Sequence, residues 1–203
     1  MNRRAFLLLA GLAPLASPAL SQQEAASPPT QPLPGVLDEA AKLEALKTVI
    51  VARDGEVLAE RGYRGSSPDT PTNIKSASKS VISLLVGIAI DKKILGGVDQ
   101  KIAPILARDL PEKRDPRLDE ITIGNLLSMQ AGLERTSGPN YGRWVASGNW
   151  VRFVLAQPFV DEPGGGMLYS TGSSHLLSAI LTRKTGRSTL ELARDWLGPV
   201  RGF

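Results

Sequence analysis

The residues of this chain whose types and spacing best suit catalysis are Ser76-Ala77-Ser78-Lys79, which lie just before the apolar segment 81–90. On a helix, a serine and a lysine three positions apart lie on one face, with about 5–6 Å between their Cβ atoms. At that separation the amine can take the proton of the hydroxyl, so that Ser76 can attack a carbonyl carbon. A chain of this length contains on the order of one such spacing by chance. Here it occurs once, at the start of a predicted helix.

The elements that must position this pair are two strands followed almost entirely by helices. Segments 48–52 and 56–60 are rich in β-forming residues and flank Arg53-Asp54-Gly55, a pattern that predicts an antiparallel hairpin. A short helix is predicted just before the hairpin. The helix that Ser76 begins comes next, followed by a brief one at 123–129 and two more at about 173–183 and 188–197. Two strands alone make a marginal sheet, so the hairpin is expected to need further strands.

Composition limits the possible functions of the chain. Its 203 residues are enough for one domain with a real core, and 42% hydrophobic with 22% charged residues is ordinary for a soluble globular protein. The absence of cysteine excludes disulfides and thiolate metal sites. The net charge of +4 is not arranged in basic clusters interleaved with aromatic residues, so no nucleic-acid partner is expected. No His, Asp and Glu set has metal-ligand spacing, and neither a metal nor a cofactor is predicted.

The amino-terminal residues read as an export signal followed by a linker. Residues 1–21 combine a basic start containing Arg3-Arg4, a short apolar stretch and small residues at a plausible cleavage point. We therefore predict a periplasmic or secreted protein, with no membrane association once the signal is removed. The two arginines also fit a twin-arginine signal, with an ordinary secretory signal as the alternative. Residues 22–35 carry four prolines and are predicted to be a linker, leaving 36–203 as the globular part.

Four segments, in this order and spacing, carry a family resemblance. They are 75–80 (KSASKS), 126–133 (LLSMQAGL), 162–164 (EPG) and 169–171 (YST). Together they resemble the serine β-lactamase and penicillin-binding-protein superfamily, and within it the class C-related enzymes similar to 6-aminohexanoate-oligomer hydrolases. The resemblance implies an α/β, β-lactamase-like fold, in which an antiparallel sheet is flanked by helices and joined by a helical subdomain.

The resemblance assigns roles to individual residues of this chain. It implies Ser76 as the nucleophile, Lys79 as the base that activates it, and Tyr169 as the relay that carries protons to the leaving group. Thr171 stands where the family most often has asparagine. The resemblance implies a substrate-binding role for Thr171, with a hydroxyl in place of the separate donor and acceptor of an amide.

Aromatic residues near the middle of the chain are predicted to be core or to line the substrate cleft. Trp144 and Trp150 are the candidates for substrate contact, beside Phe153. His175 is the only histidine. No Gly-x-Ser-x-Gly turn accompanies it, so we predict a packing position or a place beside the cleft rather than a Ser-His-Asp triad.

Lys184-Thr185-Gly186 matches the third motif of the family in letters, but we predict that it does not serve as that motif. It follows Tyr169 closely and ends an apolar helix, with Gly186 as its C-cap. On this interpretation the third motif, the remaining strands and the final helix of the family fold are missing, and the chain is expected to be truncated at its C-terminus. The oxyanion hole would then lack one of its two backbone donors, which costs about 10²–10³ in rate.

The sequence is compatible with two functions. The first is an exported serine hydrolase that cleaves amide or ester bonds of a small molecule through an acyl-enzyme on Ser76. The alternative is a non-catalytic, ligand-binding relative or an inactive truncated fragment. The substrate class stays open among β-lactams, D-amino peptides, esters and linear oligoamides, because one scaffold can host all of these activities.

Overall fold

The computed structural model of the protein describes residues 33–200, which form two compact units, residues 33–72 and 73–200. The predicted signal, residues 1–21, and most of the predicted linker lie outside the described residues. The first helix, α1, spans Leu33–Ala40, so the last three residues of the predicted linker, 33–35, are helical. The linker boundary at Gly35 was therefore placed too late. Pro34 is tolerated there because the first turn of a helix leaves its N–H groups without intrahelical partners.

The first unit is built on the predicted hairpin. Strands β1 (Thr48–Arg53) and β2 (Glu56–Gly62) pair antiparallel, with an irregularity between Val51 and Ala52. Asp54 and Gly55 join the strands with φ angles of 54° and 82°, as the tight hairpin turn requires. The hairpin is therefore confirmed.

Helix α1 is fastened beside the hairpin. The buried Tyr63 hydroxyl donates to the carbonyl of Leu37 at 2.8 Å, and Leu37 is itself buried. This contact satisfies a buried polar group while it packs two apolar side chains.

The second unit is helical and contains the apolar core. Its helices are α2 (Ser78–Asp91), α3 (Ile123–Leu127), α4 (Tyr141–Val145), α5 (Trp150–Leu155), α6 (Thr171–Thr185) and α7 (Thr189–Trp196). Single 3-10 turns cover Lys75–Ala77, Ala107–Asp109, Pro116–Glu120 and Gly138–Asn140. Within residues 33–200, no helix is long and apolar enough to cross a membrane.

Helices α2 and α6 pack against each other at the centre of this core. Fully buried leucines and isoleucines come from both, with Leu85 on α2 and Leu176, Ile180 and Leu181 on α6. Leu192 of α7 joins them. Since Ser76 precedes α2 and Tyr169 precedes α6, the packing of these helices brings the two candidate residues to the same end of the core.

Candidate active site

Ser76 lies in the 3-10 turn immediately before α2, after a residue in an unusual conformation. Lys75 has a φ of 49°, a left-handed value that is uncommon for a residue with a side chain. Hydrogen bonds hold it on both sides: its N–H donates to Asn73 Oδ1 at 2.7 Å, and its carbonyl accepts from Ser78 Oγ at 2.7 Å. Such conformations persist only where the surroundings enforce them, and they cluster at active sites.

The predicted Ser76 and Lys79 pair is in contact. Lys79 Nζ lies 3.3 Å from Ser76 Oγ, across one turn of helix. Lys79 is half-buried, whereas Ser76 is exposed. The hydroxyl is thus open to an incoming molecule while the amine beside it is held by the helix.

Tyr169 joins this pair from a position 93 residues further along the chain. Its hydroxyl donates to Ser76 Oγ at 2.8 Å, and the Lys79 ammonium lies 5.3 Å from the centre of its ring. Ser76 Oγ therefore accepts hydrogen bonds from both neighbours. Two donors aimed at one oxygen stabilise the negative charge that develops when that oxygen loses its proton.

The ionisation of Tyr169 is shifted by these contacts. Its hydrogen bond with Ser76, together with the nearby Lys79 cation, lowers the pKa of Tyr169 below its ordinary value, although partial desolvation opposes this. A phenol with a lowered pKa gives up and regains a proton more readily near neutral pH, as a proton relay requires.

The segment that follows α3 holds the loop that delivers Tyr169. The N–H of Leu168 donates to the carbonyl of Met129 at 2.9 Å, and that of Gly164 donates to the carbonyl of Gln130 at 2.8 Å. The Gln130 amide returns a bond of 2.6 Å to the carbonyl of Gly165. Hydrogen bonds from the motif at 126–133 thus fix the backbone that precedes Tyr169.

Asp161 tightens the same loop from within. Its carboxylate accepts from the N–H of Gly166 at 2.6 Å and from the N–H of Glu162 at 2.8 Å. These bonds lower the pKa of Asp161, the bond from Gly166 contributing most. The sequence signal that could have revealed this turn is an acid followed closely by three consecutive glycines, 164–166.

Comparison with known proteins identifies the family to which this arrangement belongs. The sequence model of the beta-lactamase family matches residues 30–200. The chain belongs to the beta-lactamase family. This is a family of serine hydrolases, and the predicted superfamily is thereby confirmed.

Solved structures agree with the family assignment. A beta-lactamase/D-alanine carboxypeptidase from Pseudomonas syringae matches with a TM-score of 0.67 and 20% identity, over 84% of this chain and 48% of that one. A proposed 6-aminohexanoate-dimer hydrolase from Bacillus anthracis matches with a TM-score of 0.63 and 17% identity, over 81% and 46%. At these identities the likeness shows the fold, which is the β-lactamase-like fold that the sequence predicted.

A curated relative has a different kind of name. A probable fimbrial assembly protein, FimD of serogroup H1 from Dichelobacter nodosus, is 31% identical over 144 residues. The match covers 68% of this chain and 36% of that protein. The chain thus spans between about a third and a half of the length of these relatives.

Lys184-Thr185-Gly186 does not form a strand beside the serine in this beta-lactamase-family chain. Lys184 and Thr185 end α6, and Gly186 follows as its left-handed C-cap with a φ of 70°. The prediction that this segment ends a helix, with Gly186 as its C-cap, is therefore confirmed.

Trp144 and Trp150 lie together with His175. The three rings are 5.4–5.6 Å apart, and each indole N–H donates to a backbone carbonyl, that of Trp150 for Trp144 and that of Val145 for Trp150. None of the hydrogen bonds or ring contacts between residues 33 and 200 joins either tryptophan to Ser76, Lys79 or Tyr169. Trp144 is only 4% exposed, which favours packing over substrate contact. The substrate-binding role of both tryptophans stays a prediction.

His175 is packed between these tryptophans. Burial lowers the pKa of His175, which favours the neutral imidazole over the charged one. A cavity of about 910 Å³ runs along α6 from His175 to Gly186, and Ser76, Lys79 and Tyr169 are not among its lining residues. The described part of the chain also contains no group of three or more acids and histidines able to hold a metal ion.

Among the helical glycines within residues 33–200, Gly172 is the one where an added side chain has no room. A Cβ at this position would lie 2.5 Å from Thr136 Oγ1 and 2.7 Å from Val154 Cγ2, both in buried residues. We expect Gly172→Ala to reduce the free energy of unfolding by about 1–3 kcal/mol through overpacking. Gly142→Ala in α4 is the matched control, since a Cβ there meets nothing within 4 Å. Denaturant titration measures both, and equal stability of the two variants would contradict the close packing at Gly172.

Proposed function

We propose that this chain carries the acylation site of an exported serine hydrolase, which cleaves amide or ester bonds of a small substrate through Ser76. The observation that supports it best is the convergence on Ser76 Oγ of Tyr169 Oη at 2.8 Å and Lys79 Nζ at 3.3 Å. A nucleophile held within hydrogen-bond reach of its proton acceptor is the arrangement that covalent catalysis needs.

The proposed reaction proceeds in two halves. Lys79, in its uncharged form, takes the proton of Ser76 while Ser76 Oγ bonds to the substrate carbonyl carbon, and the carbonyl oxygen becomes negatively charged. Lys79 then returns that proton through the Tyr169 hydroxyl to the leaving nitrogen or oxygen as its bond to carbon breaks, which leaves an ester on Ser76. Water then attacks the ester carbon while Lys79 takes one of its protons. The bond between that carbon and Ser76 Oγ breaks, Oγ receives the proton from Lys79, and a carboxylic acid and the free serine result.

The names of similar proteins support acyl chemistry without fixing the substrate. One relative is described as a D-alanine carboxypeptidase and beta-lactamase, and another as a hydrolase of 6-aminohexanoate dimers. The bonds that these names imply share a carbonyl carbon that a nucleophile can attack. We infer for this chain a small amide or ester substrate, with β-lactams, D-amino peptides, esters and linear oligoamides as the panel to screen. Because residues 1–21 have the pattern of a signal, the proposal places the reaction in the periplasm or outside the cell.

Covalent labelling of the full-length protein tests the proposal directly. A fluorophosphonate or a fluorescent penicillin is expected to leave its mass on one peptide, at Ser76. The neighbouring serines, Ser78 and Ser80, serve as internal controls, and Ser78 Oγ already donates to the carbonyl of Lys75. A label on either neighbour, or none in folded protein, would reject Ser76 as the nucleophile.

A second candidate is a non-catalytic binding protein. It is favoured by the curated relative named for fimbrial assembly, and by Thr171, which stands where the family more often has asparagine. The same labelling experiment separates the two functions. A binding protein would hold a penicillin reversibly and release it unchanged on denaturation, whereas the hydrolase would retain it covalently.

Tyr169→Phe tests the proton relay. The substitution removes only the hydroxyl that donates to Ser76, so we expect the labelling rate to fall by about 10²–10⁴ with the fold unchanged. Stopped-flow or gel-based labelling rates measure the effect. Tyr141→Phe is the control, since Tyr141 packs edge-on against Trp144. Equal rates for the two variants would remove Tyr169 from the mechanism.

A further inference from the structure

Four hydroxyl groups surround the first residues of α6. Thr136 Oγ1 lies 3.3 Å from Ser170 Oγ, and Ser137 Oγ lies 2.9 Å from Thr171 Oγ1. The residues that form these pairs are 34 positions apart in the sequence. Thr136 is fully buried, and Ser170 is only 5% exposed. A polar network this deep must be satisfied internally, and no buried side-chain oxygen or nitrogen in the described chain lacks a hydrogen-bond partner.

These hydroxyls satisfy the free N–H groups at the start of α6. The N–H of Thr171 donates to Ser137 Oγ at 2.8 Å, and the N–H of Gly172 donates to Thr136 Oγ1 at 2.9 Å. Normally the residue that precedes a helix caps it with its own side chain. Here the Ser170 side chain makes no such bond and instead accepts from the N–H of Thr136 at 3.2 Å. The helix is therefore capped from a distant segment.

Tyr169 depends on this arrangement because its own side chain is weakly packed. The residue is 43% exposed, so few contacts other than those with Ser76 and Lys79 restrain the phenol. Its position is set by hydrogen bonds of the residues on either side. Before it, Leu168 is hydrogen-bonded to Met129. After it, residues 170–172 are hydrogen-bonded to Thr136 and Ser137. A displacement of about 1 Å in a reacting group can cost about 10² in rate.

We propose that Thr136 and Ser137 are positioning residues that hold the Tyr169 hydroxyl on Ser76. Together with the hydroxyl of Thr171, which contacts Ser137, they form a group of hydroxyls that we call the clamp. The proposal rests on the proposed function for its catalytic consequence. It also gives a reason for threonine at position 171, where the family more often has asparagine. The short Thr171 side chain contacts Ser137 and so helps to fix the first turn of α6.

The experiment compares hydroxyl-deleting variants with conservative ones in the full-length protein. Thr136→Val and Ser137→Ala remove the clamp hydroxyls, whereas Thr136→Ser and Ser137→Thr keep them. Ser188→Ala is the matched control, because Ser188 caps α7 through its own side chain and the N–H of Glu191, away from Tyr169. Its loss of thermal stability indicates what a missing cap alone does.

Two measurements are made on each variant. The first is the rate of fluorophosphonate labelling, expected to fall about tenfold or more in Thr136→Val and Ser137→Ala and to recover in the conservative variants. The second is the pH titration of tyrosinate absorbance, with Tyr169→Phe subtracted to isolate Tyr169. Contact with Ser76 and Lys79 lowers the pKa of Tyr169, so loosening that contact is expected to move its titration to higher pH.

The outcomes separate this proposal from the proposed function. If Thr136→Val and Ser137→Ala match Ser188→Ala in labelling and leave the Tyr169 titration unchanged, the clamp has no positioning role. If the wild-type protein does not label at all, the hydrolase function fails, but the tyrosine titration still decides the positioning. Should Thr136→Val not fold, Ser137→Ala supplies the test, because Ser137 is partly exposed and its substitution disturbs the core less than a change at the buried Thr136.

Discussion

Ser76→Ala is expected to abolish covalent labelling and to reduce any hydrolysis by about 10³-fold or more, as the loss of a catalytic nucleophile does elsewhere. The alanine keeps the 3-10 turn, since Ser76 is exposed. The variant should therefore fold as the wild type does while it lacks the oxygen that becomes acylated. Intact-protein mass spectrometry after treatment with a fluorophosphonate measures the result.

The neighbouring serines provide the controls for this experiment. Ser78→Ala removes a hydroxyl that donates to the carbonyl of Lys75, and Ser80→Ala removes an exposed one. Both variants are expected to label, the first more slowly if the left-handed Lys75 loses support. If Ser76→Ala were labelled as fully as Ser80→Ala, the nucleophile would be elsewhere in the protein.

Tyrosinate absorbance offers a second signature of Ser76→Ala that does not depend on turnover. The hydrogen bond with Ser76 is the main cause of the lowered pKa of Tyr169. Its removal should return the Tyr169 titration toward the ordinary value, even though Lys79 is still present. This shift would show that the contact exists in solution before any substrate is added.

Local rules made part of this structure predictable. Asp54-Gly55 specifies a tight turn between β-forming runs, and the hairpin formed as expected. Gly186 after an apolar periodic segment specifies a helix end, and that rule correctly excluded Lys184-Thr185-Gly186 as a strand motif. In both cases the decisive interactions lie within a few residues of sequence.

The meeting of Ser76 with Tyr169 could not be derived in this way. They are 93 residues apart, and only the resemblance to a family placed them together. The clamp made by Thr136 and Ser137 was missed altogether, because a threonine and a serine in a loop carry no local sign that they cap a helix 34 residues later. Long-range hydrogen bonds between common residue types depend on how the helices pack.

Trp144 illustrates a different limit of sequence reasoning. An aromatic cluster near a candidate site suggests a cleft wall, yet Trp144 is almost fully buried, and its N–H bonds to the backbone of Trp150. Composition does not distinguish an aromatic residue that lines a cleft from one that fills a core, since burial is equally favourable for both.

Lys79 can act on Ser76 either as a base that accepts its proton or as a fixed positive charge. Two substitutions distinguish these roles. Lys79→Met keeps the length of the side chain and removes the nitrogen that lies 3.3 Å from Ser76 Oγ. Lys79→Arg keeps the positive charge but supplies a group that is not deprotonated in proteins. If Lys79 accepts the proton of Ser76, both variants should lose about 10²–10⁴ in labelling rate, the usual contribution of a general base.

The comparison of Lys79→Arg with Lys79→Met decides between the two roles of Lys79. A charge-only role predicts that Lys79→Arg labels nearly as fast as the wild type while Lys79→Met does not, and that outcome would reject Lys79 as the base. The tyrosine titration gives an independent reading, because the Lys79 cation contributes to the lowered pKa of Tyr169: Met should raise that pKa, and Arg should largely preserve it. Lys92→Met, at the C-terminal end of α2 and over the Trp196 ring, controls for loss of a lysine and should change neither measurement. Slow labelling by Lys79→Arg with an unshifted Tyr169 would therefore assign the proton transfer itself to Lys79.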